Sequence, residues 1–132
     1  MPESTIIPVL TYPDLEEAIV WLTNTLGFKE RWRIGDHRAQ LSYGNCTVVV
    51  TAGAAKHPAA LLVRITDIDN HFVKSQSSGA RIISPPADYF YGERQYTLED
   101  IGGHFWTLSE TVKDLTPEDW GATVPLTYRS TD

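Results

Sequence analysis

The predicted secondary-structure elements occur in the same order twice along the chain, which leaves few possible folds. Each half has an apolar strand-like run, an amphipathic helix and three further strand-like runs separated by turn residues. A stretch of small residues, Ala52 to Ala60, separates the halves. The predicted strands are Ile6 to Leu10, Phe28 to Ile34, Arg38 to Tyr43 and Cys46 to Thr51, then Leu61 to Ile65, Arg81 to Ser84, Arg94 to Glu99 and His104 to Ser109.

The two predicted helices have matching start and stop signals. Asp14, with Glu17 three residues later, is typical of a capping box, and Gly27 ends the helix. Asp67 opens the second helix and Gly79 ends it. Neither half can bury a sufficient core alone. We therefore predict an α+β fold in which two βαβββ modules, residues 5–51 and 60–110, form one domain, followed by a tail, 111–132, with a short helix.

Composition excludes several classes of function. The chain has 132 residues, enough for one domain. Its net charge of −6 argues against nucleic-acid binding, because a basic surface is needed to neutralise phosphates. No apolar run approaches the length of a membrane helix, and the N-terminus does not resemble a signal peptide. The one cysteine, Cys46, favours a reducing, cytoplasmic location and is expected to be packed.

Two segments carry a resemblance to a known family. The run Pro13-Asp14-Leu15, with Leu26-Gly27-Phe28 after the helix, resembles the opening of vicinal oxygen chelate domains. Tyr91 to Tyr96, followed by Asp100 to Trp106, resembles their last hairpin. This superfamily includes glyoxalases, bleomycin resistance proteins and ring-cleaving dioxygenases. The resemblance extends from about Thr5 to Glu110, and it implies two modules with curved sheets around a cleft, commonly in a homodimer.

The family's enzymes resemble one another in a metal site with one ligand from the first and last strand of each module. By register, those four positions are Ile7, a residue near Val49, Leu61 and Thr107. Three of these side chains have no lone pair, and a threonine is a poor ligand for the ions concerned. The four histidines do not have the spacing of a metal site, and His104 is expected to point away from the face of Thr107. We therefore expect neither a metal nor another cofactor.

Aromatic residues are the other notable feature. The run Tyr89 to Tyr91 follows two prolines and is expected in a loop, whereas Trp106 is expected to pack in the core. We hypothesise that a cleft for a flat or partly cationic ligand is lined by Trp32, Tyr91, Arg94, Tyr96, Phe105 and Thr107.

The resemblance leaves several functions open. The leading hypothesis is a metal-independent small-molecule binding protein, most similar to the drug-sequestering bleomycin resistance proteins and thus linked to antibiotic resistance. The alternative is a glyoxalase- or dioxygenase-like enzyme, or a metal-free lyase or isomerase that uses Glu93 or Tyr96. A third reading is an accessory domain with a vestigial cleft. The sequence does not identify the ligand.

Overall fold

The computed structural model describes residues 6–54 and 57–126, and its strands form two four-stranded sheets. Sheet 1 contains β1 (Val9–Tyr12), β2 (Lys29–Ile34), β3 (Arg38–Tyr43) and β4 (Cys46–Ala52), in the order β1-β4-β3-β2. Sheet 2 contains β5 (Ala60–Arg64), β6 (Arg81–Asp88), β7 (Glu93–Glu99) and β8 (Phe105–Thr111), in the order β5-β8-β7-β6. In both sheets the first strand pairs in parallel with the last. The predicted α+β fold of two βαβββ modules is confirmed.

Helix α1 (Leu15–Trp21) follows β1 and begins at the predicted cap. The Asp14 carboxylate accepts a hydrogen bond from the Glu17 backbone N–H at 3.0 Å, so it satisfies one of the free donors at the helix start. The helix continues as a π-helical turn, Leu22–Leu26, and ends at Gly27, whose φ of 86° is the left-handed conformation that favours glycine.

Helix α2 (Ile68–Ser77) begins after Asp67, as predicted, but the Asp67 side chain does not cap it. Asp67 has a φ of 56°, and its side chain makes no capping hydrogen bond. The carboxylate of Glu110, from β8, instead accepts hydrogen bonds from the backbone N–H groups of Asp67 and Ile68, at 2.8 and 3.0 Å. The helix start is therefore held by a residue distant in sequence, and this links α2 to sheet 2.

Strand β6 is longer than predicted, since it continues through Pro85 and Pro86 to Asp88. A proline has no backbone N–H to donate to a neighbouring strand, so it is tolerated at an edge or at a bulge. Strand β6 is an edge strand, and its pairing with β7 shifts register between Ser84 and Ala87, where the two prolines lie.

One apolar core joins the two modules and includes Leu10, Tyr12, Leu41, Val48, Val50, Ile68, Leu98, Trp106 and Leu108 with the inner side of α1. Side chains alternate between the two faces of a strand, so each sheet has a core face, which packs against the helices, and a helix-free face. Trp106 contacts Phe28 across the modules, with ring centroids 5.7 Å apart, which confirms its predicted core position.

The tail folds back on the loop between β6 and β7. A short 3₁₀ helix, Pro117–Trp120, confirms the predicted terminal helix, and Gly121 ends it. The backbone N–H groups of Val112 and Lys113 donate to the carbonyl oxygen of Gly92 at 2.9 and 3.1 Å. Residues 127–132 of the tail lie outside the described residues. Among the helices described, none has the length and apolar character to cross a membrane.

Candidate functional site

The helix-free face of sheet 2 carries a chain of polar side chains linked by hydrogen bonds. Gln95 accepts from the Tyr91 hydroxyl at 3.1 Å and donates to the Ser109 hydroxyl at 3.0 Å. The hydroxyl groups of Ser109 and Thr111 donate in turn to the two carboxylate oxygens of Glu93, at 2.8 and 2.7 Å. Side chains held in this way are fixed in orientation, which suits a surface that recognises a polar ligand.

Glu93 is the carboxylate at the end of this polar chain. Partial burial raises its pKa, but the hydrogen bonds from Thr111 and Ser109 and the charge of Arg64 lower it, and the net effect is a lowered pKa. The Arg64 guanidinium lies 3.8 Å from the Glu93 carboxylate. Glu93 is therefore ionised at neutral pH and is a weak base.

A β-bulge shapes the helix-free face of sheet 1. Glu30 pairs with Leu41 on the core side, and Trp32 pairs with the next residue of β3, Gln40, so Arg31 is the extra residue. Without the bulge, Trp32 would share the core side with Glu30. The bulge instead turns Trp32 to the helix-free face, where the Arg31 guanidinium donates to the Gln40 side-chain oxygen at 2.8 Å.

Large apolar side chains are exposed on both helix-free faces. They are Val9, Trp32 and Ile34 on sheet 1, and Leu62 and Phe105 on sheet 2. Leu62 is 57% exposed, and Trp32 and Phe105 are 39% and 37% exposed. Apolar surface of this kind indicates a binding or association surface.

The structure distributes the six predicted cleft residues over different surfaces. Phe105 and Thr107 share the helix-free face of sheet 2, where the Thr107 hydroxyl is hydrogen-bonded to that of Thr97 at 2.9 Å. Tyr91 lies at one end of that face through its bond to Gln95, whereas Trp32 lies on sheet 1.

Tyr96 and Arg94 do not belong to this surface. Tyr96 is only 1% exposed, and its hydroxyl is hydrogen-bonded to His71 at 2.5 Å and to Ser75 at 3.1 Å, both on α2. Arg94 lies on the same side of β7 and pairs with Asp69 and Asp88 at 2.9 and 2.8 Å. Alternation along β7 places both residues on the core face, opposite to the helix-free face that carries Phe105 and Thr107.

The aromatic loop after β6 packs against the tail. Tyr89 and Tyr91 are stacked, with ring centroids 5.5 Å apart, and Tyr91 and Phe90 both contact Trp120, at 6.0 and 6.3 Å. Phe90 remains 71% exposed. The loop is thus an aromatic cluster at the border of the helix-free face of sheet 2.

The four positions that correspond to the family's metal ligands do not fit a metal. Val49 and Thr107 lie on the helix-free faces, and Ile7 lies two residues before β1. Leu61 pairs with Trp106 on the core face, and the residue opposite Thr107 is Leu62. None of these side chains except the threonine offers a lone pair. Within residues 6–54 and 57–126, no group of three or more His, Cys, Asp or Glu could hold a metal ion.

An apolar cavity of about 550 Å³ lies between the modules and is lined by none of the six predicted cleft residues. Its walls include Phe28, Val48, Leu61, Val63 and Trp106, with Tyr43, Cys46 and Arg64 also lining it. Cys46 is exposed, contrary to the prediction that it is packed. The first strand residue after a turn is easily misassigned, because apolar neighbours do not fix which face a side chain takes.

Sequence reasoning missed Arg31, Gln40, Gln95 and Ser109. A count of alternate residues along β7 and β8 from Thr107 could have found Gln95 and Ser109 once the hairpin register was known. Arg31 and Gln40 depend on the bulge, for which the sequence carries no glycine or proline signal.

Three comparisons relate the chain to known proteins. The family described as Glyoxalase/Bleomycin resistance protein/Dioxygenase superfamily matches residues 6–108. The crystal structure of TioX from Micromonospora sp. ML1 is 30% identical in sequence and covers 82% of this chain and 98% of its own, with a TM-score of 0.74. The fosfomycin resistance protein FosX from Listeria monocytogenes has a TM-score of 0.72 at 15% identity, over 91% of this chain and 99% of its own.

An uncharacterized protein of Mycobacterium tuberculosis is 23% identical over 86 residues, which are 65% of this chain and 49% of that protein. The chain thus spans about half the length of the curated relatives it matches. The family match covers most of the chain and coincides with the two βαβββ modules. The chain belongs to the glyoxalase/bleomycin resistance protein/dioxygenase superfamily.

Proposed function

We propose that this protein binds a small organic molecule without a metal ion, on the helix-free faces of its sheets, and that it does so as a homodimer. The observation that carries the proposal is the helix-free face of sheet 2. There, a hydrogen-bonded chain of Gln95, Ser109, Thr111 and Glu93 shares the face with the exposed side chains of Leu62 and Phe105. Oriented polar groups next to apolar surface are typical of ligand sites.

The residues at the family's metal positions support a binding role over metal-assisted catalysis. Ile7, Val49 and Leu61 have no lone pair to offer a metal, nor has Leu62 opposite Thr107, and the Thr107 hydroxyl is already hydrogen-bonded to that of Thr97. Membership of a superfamily that includes bleomycin resistance proteins supports protection against a toxic compound as the role. At 15% identity, FosX supports the fold alone.

A metal-free enzyme remains the second candidate, and Glu93 is the observation that favours it. Its carboxylate lies on the helix-free face and is ionised. Its lowered pKa makes it a poor general base, since effective bases have a pKa near the working pH. Tyr96 is buried against α2, and burial raises its pKa, so it is not available as the alternative acid or base.

The proposal is tested by a small-molecule screen on chelator-treated protein, read as thermal stabilisation and confirmed by calorimetry. Each ligand is then titrated against Phe105→Ala and against Phe90→Ala, a matched change at an exposed phenylalanine outside both sheet faces. We expect Phe105→Ala to weaken binding about tenfold, or about 1.4 kcal/mol, and Phe90→Ala to have little effect.

Two other outcomes would contradict the proposal. A ligand that responds to Val63→Trp but not to Phe105→Ala would occupy the apolar cavity between the modules. A ligand whose binding is abolished by the chelator and restored by a divalent ion would require a metal. Mass spectrometry of the ligand after long incubation separates the two candidates, because a binder returns it unchanged, whereas an enzyme with Glu93 converts it and loses turnover in Glu93→Gln.

A further inference from the structure

The helix-free face of sheet 1 differs in charge from every other surface of the sheets. Its strand positions carry three basic residues, Lys29, Arg31 and Arg38, and no aspartate or glutamate. The acidic residues of this module's strands and helix, Glu16, Glu17 and Glu30, lie on the helix side or on α1 itself. A chain with a net charge of −6 thus has one sheet face that is locally positive.

These basic groups are not neutralised by the carboxylates that the structure describes. No ion pair among residues 6–54 and 57–126 involves Lys29, Arg31 or Arg38. The next arginine on β2, Arg33, faces the helix and pairs with Glu16 and Glu30.

The helix-free face of sheet 2 offers no spare negative charge in compensation. Glu93 is paired with Arg64 at 3.8 Å, and Glu99 is paired with Arg81 at 3.6 Å. If a homodimer placed the helix-free face of sheet 2 against that of sheet 1, the Arg31 guanidinium would therefore still lack a carboxylate partner.

Arg31 is also oriented. The bulge places it beside Trp32, and the Gln40 side chain, which is itself buried, accepts one of its N–H groups at 2.8 Å. The remaining N–H donors of the guanidinium form a planar fork of the kind that binds carboxylates, sulfonates and phosphates. The Trp32 indole next to it presents a flat apolar surface for an aromatic ring.

We infer that Arg31 and Trp32 form a subsite for an anionic group attached to a flat apolar group, so the ligand class is an aromatic or polycyclic acid. The inference deepens the proposed function and rests on it. It replaces the expectation of a partly cationic ligand, because the charge of the local face, and not the net charge of the chain, acts on a bound group.

The test uses two fluorescent probes that share a naphthalene ring system: anilinonaphthalene sulfonate, which is anionic, and phenylnaphthylamine, which is uncharged. We expect the wild-type chain to bind the sulfonate more tightly. Arg31→Gln should weaken the sulfonate about tenfold and leave the amine unchanged, because it removes only the charge-assisted contact. Trp32→Leu should weaken both probes.

Arg33→Gln is the matched control, since it makes the same change two residues further along β2 but on the helix side. It should alter neither affinity. The inference is overturned if Arg31→Gln leaves the sulfonate affinity unchanged, or if Arg33→Gln weakens it equally. It is also overturned if Arg31→Gln changes the oligomeric state on size-exclusion chromatography, which would make Arg31 an inter-subunit contact. Failure of both probes to bind the wild-type chain would instead count against the proposed function itself.

Discussion

Asp100 accepts hydrogen bonds from both modules and so links them. Its carboxylate is buried and accepts four hydrogen bonds, from the Tyr12 hydroxyl at 2.6 Å and from Trp106 Nε1, Gly102 N and His104 N at 2.9 Å each. Tyr12 belongs to the first module and the other three donors belong to the second. The turn before β8 is thereby fixed to β1.

Replacing Asp100 with Asn should destabilise the protein by about 2–4 kcal/mol. An asparagine has only one acceptor oxygen, so its NH2 group would face hydrogen-bond donors that now bind the second carboxylate oxygen. The measurement is urea unfolding followed by tryptophan fluorescence. Asp36→Asn, at an exposed turn position, is the control and should cost less than about 0.5 kcal/mol. A loss below about 1 kcal/mol for Asp100→Asn would show that the cluster contributes little.

Tyr12 makes stability sensitive to alkaline pH. Burial raises the pKa of Tyr12 far above its usual range, and the charge of Asp100 raises it further. Because the folded pKa lies above the unfolded one, the folded state holds its proton more tightly. Stability from this residue is therefore present below pH 10, the ordinary pKa of tyrosine, and is lost as the pH rises further.

We expect the melting temperature to fall steeply above about pH 10 and the slope to be reduced in Tyr12→Phe, which has no ionisable group. The variant should be less stable at neutral pH, since Asp100 loses a donor, so the slopes are compared and not the absolute values. Tyr89→Phe, at an exposed loop position, should keep the wild-type slope. An unchanged slope in Tyr12→Phe would contradict the assignment to Tyr12.

At the residue scale, the sequence predicted the caps and core positions that depend on near neighbours. Asp14, Gly27 and Trp106 were assigned correctly because each is determined by its own helix or strand. The face taken by Tyr96 and Arg94 could not be predicted in this way, because it depends on the register of the β7–β8 hairpin, and a shift of one residue exchanges the faces.

At the scale of elements, the tail is a strap over the last hairpin. A Cβ atom at Gly92, where φ is 85°, would overlap the carbonyl oxygen of Lys113. The two backbone N–H groups that bind the Gly92 carbonyl hold the same strand end. A glycine is required here both for its conformation and for the close approach of the two backbones.

Gly92→Ala should detach the tail from the aromatic loop. The expected signs are a lower melting temperature and a red shift in the emission of Trp120, which packs on Phe90 and Tyr91. Gly103→Ala separates backbone strain from the clash with Lys113, since Gly103 has a φ of 86° but open space around its Cβ position. It should cost about 1 kcal/mol for backbone strain alone. Equal effects of the two changes would mean that the clash with Lys113 is relieved without loss of the strap.

The order of elements was predictable because glycines and capping residues recur at matching points in both halves. The elements that deviate are those whose form depends on the tertiary arrangement. Helix α2 is capped by Glu110 from β8, and β6 extends through Pro85 and Pro86 because an edge strand tolerates a missing donor. Glu110 is distant in sequence from α2, and the edge position of β6 is set by the order of strands in the sheet, so local patterns carry no sign of either.

At the scale of the whole molecule, the repeat of two modules was sufficient to predict the fold, but one chain does not determine what covers its helix-free faces. Both faces expose large apolar side chains, and each also has a polar side chain that is already buried, Gln40 on sheet 1 and Ser109 on sheet 2. Both sheets also end in a strand, β1 or β5, that has a partner on one side only within its own sheet. A second copy of the chain would cover such surfaces and complete a cleft, as the family resemblance implies.

Sedimentation equilibrium should therefore give twice the mass of one chain. Leu62→Glu should shift the equilibrium toward single chains, since it places a charge in apolar surface that the second copy covers. Val73→Glu is a matched control, because Val73 is 55% exposed against 57% for Leu62 but lies on α2, away from the helix-free faces. A wild-type chain that stays monomeric, or equal effects of the two changes, would mean that these faces stay open and that each chain binds its ligand alone.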